Sequence, residues 1–153
     1  MPNTYYQNYV HTTFPVKYRH AVLKKEWRMS LFGVMGNLIN QAGCKTLIVN
    51  GVDDHVHCLF GFKPSISISD VMQLVKSKSS KWINNSGFIH HRFEWQAGFG
   101  CFTHGNQQID KVYKYIQKQE EHHKKMSFRE EYLRFLKKYD IDYDERYIFS
   151  ELI

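Results

Sequence analysis

The sequence predicts an α+β fold in which an antiparallel four-stranded sheet carries helices on one face. Three observations predict it. Strand-like and helix-like segments alternate as strand, helix, strand, strand, helix, strand, followed by extra helices. The two middle strands meet at Asn50-Gly51, the strongest short hairpin signal, which reads as a type I′ turn. With 3 prolines in 153 residues and no repeat, low-complexity tract or linker, the chain reads as one domain spanning 1–153. A βαββαβ order is that of the ferredoxin-like split arrangement. That fold hosts many unrelated activities, so function must come from side chains.

Residues 6–14 are rich in Tyr, Val and Thr and stop at Pro15, as a strand does. Residues 20–41 place Val22, Leu23, Trp27, Leu31, Val34, Leu38 and Ile39 near helical spacing, with Gly43 to end the helix. Residues 45–49 and 56–62 form the hairpin strands, the second closed by Pro64. Ser69-Asp70 reads as the cap of a helix over 71 to about 85, stopped by Gly87. Residues 93–102 are aromatic with Gly98 and Gly100 interspersed, a strand with room for a bulge. A helix over about 107–125 carries Ile109, Val112, Tyr113 and Ile116 on its apolar side, and Ser127 caps a last helix over about 128–139. Residues 140–153 are of mixed character.

Composition narrows the function. Hydrophobic residues at 42% and charged residues at 24% are the balance of a folded soluble protein. No apolar run approaches the roughly 20 residues a membrane helix needs, and the first residues lack the pattern of a secretory signal. A cytoplasmic location is therefore expected. A net charge of +6 favours a polyanionic partner, and 16% aromatics suit a filled core or stacked bases. The 3 cysteines are scattered and form no CxxC, so they read as reduced thiols. There is no GxxxxGK, GxGxxG or GxSxG, and no nucleotide cofactor is expected.

Four groups of residues remain as carriers of chemistry. In Asp54-His55-Val56-His57, side chains two apart on a strand share a face, so His55 and His57 project together and can chelate one divalent cation. Cys58 shares its face with Val56 and is poorly placed as a third ligand. In the helix over 107–125, Tyr115 and Gln119 lie one turn apart, while Tyr113 falls with the apolar set as a core or interface aromatic. Lys17 and Arg19 after the first strand, with Lys76, Lys78, Lys81 and the serines among them, offer phosphate contacts. Glu120-Glu121-His122-His123 reads more as a charged helix surface than as a ligand set. Each group also has an ordinary structural explanation, and none is decisive by itself.

Taken together, these motifs resemble the single-tyrosine HUH transposases of small bacterial insertion sequences, including domesticated relatives associated with repeats. The histidine–hydrophobic–histidine element is His55-Val56-His57 within Asp53-Asp54-His55-Val56-His57-Cys58-Leu59. The tyrosine helix is similar over Val112-Tyr113-Lys114-Tyr115-Ile116-Gln117-Lys118-Gln119, and the similarity runs from His11 to Tyr147 with its motifs in order. The stretches Val75-Lys76-Ser77-Lys78-Ser79-Ser80, Trp95-Gln96-Ala97-Gly98-Phe99-Gly100, Gln119-Glu120-Glu121-His122-His123-Lys124-Lys125 and Phe128-Arg129-Glu130-Glu131-Tyr132-Leu133 belong to it. Thr103-His104-Gly105 departs from the small hydroxyl residues common in relatives, so His104 has no assigned role.

The resemblance implies metal-dependent cleavage and rejoining of single-stranded DNA at hairpin-bearing ends through a 5′-phosphotyrosine. It makes Tyr115 the nucleophile and His55, His57 and Gln119 the ligands of Mg²⁺ or Mn²⁺, with Asp54 orienting a histidine from behind. It also implies a homodimer in which the tyrosine helix of one subunit can complete the histidine site of the other, and residues 103–106 offer a hinge. Competing expectations are a domesticated nuclease acting on repeated palindromes, a non-catalytic nucleic-acid-binding module, and a phosphoesterase that uses water as its nucleophile.

Overall fold

The structure, a computed structural model, describes residues 4–144 and 146. Four strands build one antiparallel sheet: β1 (Tyr9–Pro15), β2 (Lys45–Gly51), β3 (His55–Gly61) and β4 (Gly100–His104), in the order β2-β3-β1-β4. Helices α1 (Lys25–Gln41) and α2 (Ile68–Ser86) complete the βαββαβ frame. After it come α3 (Ile109–Gln117), the short α4 (Gln119–His122) and α5 (Phe128–Lys138).

Alternation along the central strands divides the residues between two faces. Val10, Phe14, Val56, Cys58 and Phe60 enter a core with Trp27, Leu31, Met35 and Ile39 of α1 and Val71, Met72, Val75 and Ile83 of α2. His11, Thr13, His55 and His57 take the other face and are also buried. There they meet α5, with the Phe128 ring 4.5 Å from His55 and the Phe135 ring 5.5 Å from His11. The sheet is therefore covered on both faces, one apolar and one polar.

Several expected boundaries move, each for a physical reason. The first helix begins at Lys25 instead of residue 20, because the Leu23 amide donates to the Asp53 carbonyl at 2.9 Å and Lys24 is extended, after a 3₁₀ turn over Lys17–Arg19 with Tyr18 at φ 61° and Arg19 at φ 55°. The cap of α2 is Ser67, whose hydroxyl accepts the Asp70 amide at 3.4 Å, not Ser69-Asp70. The aromatic strand expected over 93–102 is divided. Trp95 makes a lone bridge to Val16, the chain turns at Gly98 with φ +81°, and β4 starts at Gly100.

The hairpin turn is also displaced. Asn50 and Gly51 lie inside the ladder opposite His57 and Val56, and the turn passes through Val52, Asp53 and Asp54. Gly51 is required by close approach instead of turn geometry, since a Cβ there would lie 2.2 Å from the His55 carbonyl oxygen. Asn50 sends its side-chain amide to the carbonyls of Ile116 at 2.9 Å and Gln117 at 3.1 Å. Those are carbonyls of the last turn of α3, where helical partners run short, and the Ile116 carbonyl also faces the Lys118 amide. The expected helix over 107–125 accordingly breaks at Lys118, with φ −97° and ψ 23°, into α3 and α4.

Tyr113 is 37% exposed and does not enter the core. The expected stretch over 140–153 lies largely outside the described residues. No helix among the described residues is long and apolar enough to cross a membrane.

Candidate active site

The site is built on the polar face of the sheet. His55 and His57 begin β3 and are fully buried, while Val56 between them faces the α1–α2 core. The Asp54 carboxylate lies 2.7 Å from His55 Nδ1, which fixes that ring and leaves Nε2 facing inward. His57 Nδ1 is held at 2.7 Å by His11 Nε2 from β1, so its Nε2 also turns inward. The two inward nitrogens converge on Glu131 of α5: His57 Nε2 is 2.9 Å and His55 Nε2 is 3.4 Å from Oε1.

Three more side chains close the cluster. His55 Nε2 lies 3.3 Å from Gln119 Oε1 and 3.1 Å from His123 Nε2, and the far nitrogen of His123 is held at 2.7 Å by the Met126 carbonyl. The Tyr115 hydroxyl donates to Glu131 Oε2 and lies 2.9 Å from His122 Nε2. Gln119 Nε2 faces the Tyr115 carbonyl and Glu131 Oε2, each at 3.4 Å. The break at Lys118 lets Gln119 open its own short turn, fully buried beneath the tyrosine.

Charge in this cluster is strongly organised. Burial works to raise the Glu131 carboxyl, but the imidazoles of His57, His123 and His55 outweigh it and hold it well below the usual carboxylate range. For His55, burial favours the neutral ring, yet Asp54 and Glu131 overcome it and push the pKa up to about 9. His57 is lowered by burial, which Glu131 only partly offsets. The Tyr115 phenol is pushed far up, first by burial and then by the adjacent Glu131 carboxylate. It is therefore a neutral hydroxyl, a poor nucleophile without help.

The donor set suits a divalent cation. One ligand atom from each of His55, His57, His123 and Glu131 falls within 4.8 Å of the others. The amide oxygen of Gln119 adds a neutral donor on the same side of His55. A buried carboxylate amid imidazoles needs a compensating positive charge, which a cation supplies as well as a proton does. Mixed nitrogen and oxygen donors match Mn²⁺ more closely than the all-oxygen preference of Mg²⁺.

Of the residues singled out in the sequence, Tyr115, His55, His57, Gln119 and Asp54 come together. The basic residues do not join them. Lys76 gives its ammonium to the carbonyls of Gln96 and Gly98, and Lys17 pairs with Glu94 at 3.0 Å. Ser79 accepts the Trp95 indole at 3.0 Å and Ser80 donates to the Phe93 carbonyl, so neither is a spare phosphate contact. Lys78 and Lys81 are exposed on α2, the helix on the opposite face of the sheet, and Arg19 sits in the 3₁₀ turn. The basic surface nearest the tyrosine lies elsewhere: a groove of about 770 Å³ lined by Tyr115, Lys111, Lys114, Lys118, Lys124 and Lys125.

Sequence reasoning gave Glu131 no role in the site, although it stands in a stretch that resembles the family, and undervalued His123. A signal for Glu131 existed, since it stands three residues after Phe128 and four before Phe135, a lone carboxylate on the apolar stripe of α5. The surface reading of residues 120–123 holds for Glu120, which pairs with Lys25 at 2.5 Å, and fails for His123, which is turned into the cluster.

The fold has relatives. One solved structure, of a transposase from Deinococcus radiodurans described as putative, superposes with a TM-score of 0.60 at 22% identity, over 78% of this chain and 95% of that one. A REP-associated tyrosine transposase solved bound to a REP hairpin gives a TM-score of 0.60 at 13% identity, over 80% and 73%. The ISDra2 transposase TnpA of Deinococcus radiodurans is 32% identical over 76 residues, and the chain spans about half that relative's length, 54%. The model of the IS200-like transposase family matches residues 4–119, a span that takes in His55, His57, Tyr115 and Gln119. With that match over most of its length, the chain belongs to the IS200-like transposases, the single-tyrosine HUH family.

Proposed function

We propose that this protein cuts and rejoins single-stranded DNA at hairpin-bearing ends, with Tyr115 as the nucleophile and a 5′-phosphotyrosine as the intermediate. The observation that carries the reading is the convergence of the Tyr115 hydroxyl, Gln119 and the His55–His57 pair on one buried carboxylate, Glu131. His55, His57 and Gln119 would hold a divalent cation, with Glu131 Oε1 and His123 as further donors within reach. When bound, that cation supplies Lewis-acid polarisation of the scissile phosphate.

The chain's own residues do the rest. The phenolic oxygen of Tyr115 forms a bond to phosphorus and the O3′–phosphorus bond breaks, leaving a free 3′-hydroxyl. Glu131 Oε2 accepts the phenolic hydrogen bond and positions the oxygen. His122 Nε2, 2.9 Å from that oxygen and kept neutral by burial, takes the phenolic proton, and the departing O3′ takes its proton from solvent water. Asp54 and His11 fix the two histidine rings from behind. Because the phosphodiester's energy stays in the covalent link, a later 3′-hydroxyl reverses the step without a nucleotide cofactor.

The basic groove beside Tyr115 suits a phosphate backbone. A family neighbour solved with a REP hairpin supports hairpin DNA as the substrate class. The other partner in this reading is a second copy of the chain, exchanged about residues 103–106. Mixing Tyr115→Phe and His57→Ala chains tests that exchange. Adduct regained in the mixture supports it, and adduct that stays absent places the site within one chain.

The principal experiment incubates the protein with hairpin DNA and Mn²⁺, followed by a denaturing gel. A covalent adduct is expected, lost in Tyr115→Phe and kept in Tyr113→Phe. An adduct that survives Tyr115→Phe refutes the nucleophile, and strand cleavage without adduct points to water instead.

A further inference from the structure

The groove is one of two openings that meet at the tyrosine. Tyr115, His122 and Lys111 also line a separate pocket of about 300 Å³ between α3, α5 and the end of β4. Their characters differ. The groove is lined by five lysines with Glu121 and Met126, whereas the pocket has Phe135, Tyr139, Val112 and His104 in its wall together with Arg134 and Lys138, and reaches His11 and Glu131 of the histidine cluster.

Its aromatic wall is braced. The Tyr139 ring stacks on Phe102 with centroids 5.0 Å apart and planes 27° apart, and Phe102 lies 5.1 Å from Phe135. The His104 ring stands edge-on to Tyr139 at 5.9 Å, and the Lys138 ammonium is 5.5 Å from the Tyr139 centroid. The His104 ring is half-buried beside the Gln108 side chain, and its Nε2 atom is shielded from solvent with no partner in hydrogen-bonding geometry among the described residues. A buried polar nitrogen left unpaired is costly, so it marks a place where a ligand atom is expected.

We propose that this pocket receives one unpaired nucleobase of the strand that Tyr115 attacks, stacked on Tyr139 with a polar edge toward His104. The inference rests on the nuclease reading and assigns its base-recognition site. A bare phosphate would be served by the lysine groove, whereas aromatic walls with one unsatisfied ring nitrogen fit a flat heteroaromatic with a hydrogen-bonding edge. Extracting that base from its stack turns the adjoining phosphate toward Tyr115.

The test uses the full chain with Tyr115→Phe, so that binding is read without cleavage. The probe is a DNA hairpin with a single-stranded flank, in which an abasic nucleotide is stepped through the flank and affinity is followed by fluorescence anisotropy. One position is expected to lose about tenfold in affinity when its base is removed. Adding Tyr139→Ala should abolish that penalty, Tyr139→Phe should keep it, and His104→Ala should change which base is preferred there. An equal penalty at every position overturns the proposal, as does a penalty that persists in both Tyr139→Ala and His104→Ala. Complete competition by a deoxynucleoside monophosphate would make the pocket a free-nucleotide site and also overturn it. The two readings fail separately. No adduct on any hairpin, with the positional penalty intact, sinks the nuclease and leaves the base pocket. Adduct formation with a flat abasic profile does the reverse.

Discussion

The two faces of this sheet are held by different physics. Toward α1 and α2 the strands present Val10, Phe14, Val56, Cys58 and Phe60, and the contact is apolar packing. Toward α5 the same strands present His11, His55 and His57, and the contact is a polar network centred on Glu131. Apolar packing is non-directional and tolerates small shifts. A buried polar network is worth having only when every member is satisfied in geometry and charge. The first face therefore supplies stability, and the second supplies a place where charge is concentrated and chemistry can be done.

The largest separation of the two faces should come from truncating Phe14, which is fully buried and lies 4.9 Å from the Trp95 ring. Phe14→Ala should cost about 3–5 kcal/mol in denaturant unfolding. The affinity of the protein that remains folded for Mn²⁺, read by titration calorimetry, should stay close to wild type. The converse variant is His57→Ala, which should lower Mn²⁺ affinity while the apolar core stays intact. Unchanged Mn²⁺ affinity in His57→Ala would count against the histidine site.

Gly51→Ala should damage both faces at once. The added carbon meets the His55 carbonyl, so β2 or β3 must shift and carry His55 with it. About 1–3 kcal/mol of stability should be lost, on the scale of overpacking. Mn²⁺ affinity should fall in the same variant, unlike in Phe14→Ala. A stability loss with metal affinity preserved would show that the hairpin relaxes without moving the histidine.

What the sequence revealed follows the same division. The apolar face was legible because alternation and helical spacing are local patterns, and the pairing of His55 with His57 follows from strand period alone. The turn was misplaced because Asn50-Gly51 carries strong turn chemistry, whereas its real constraints are tertiary: a carbonyl pressed against Gly51 and two helix carbonyls reaching Asn50. The break at Lys118 left no local trace, because its neighbours are good helix formers. Glu131 joins His57 across a separation of 74 residues, and no spacing rule spans that distance. A sequence shows how many basic residues there are but not which are occupied, and Lys76 is occupied by the Gln96 carbonyl.

A change behind the ligands should sharpen the comparison further. Asp54→Asn keeps size but removes the charge that holds His55 Nδ1. Outer partners of this kind typically matter by about 10–100-fold in metal affinity. That range is expected for Mn²⁺, with little effect on unfolding, because Asp54 is partly exposed and sits outside the apolar core. A stability loss as large as that of Phe14→Ala would mean that Asp54 acts as a folding residue.

The smallest expected effect tests whether the break in the tyrosine helix is imposed by the sheet. Asn50→Ala removes the amide that satisfies the carbonyls of Ile116 and Gln117. Both groups lie near the surface of the α3 end, where water can replace part of what is lost, so stability should fall by only about 1 kcal/mol. If the sheet holds the break, α3 and α4 become free to join into the continuous helix that their residues favour locally. Gln119 would then be drawn away from His55, and hydrogen exchange at residues 117–120 should slow as new helical bonds form. Faster exchange there, with Mn²⁺ affinity unchanged, would instead place the cause of the break within the 118–123 segment itself, where the His123 ring is pinned to the Met126 carbonyl.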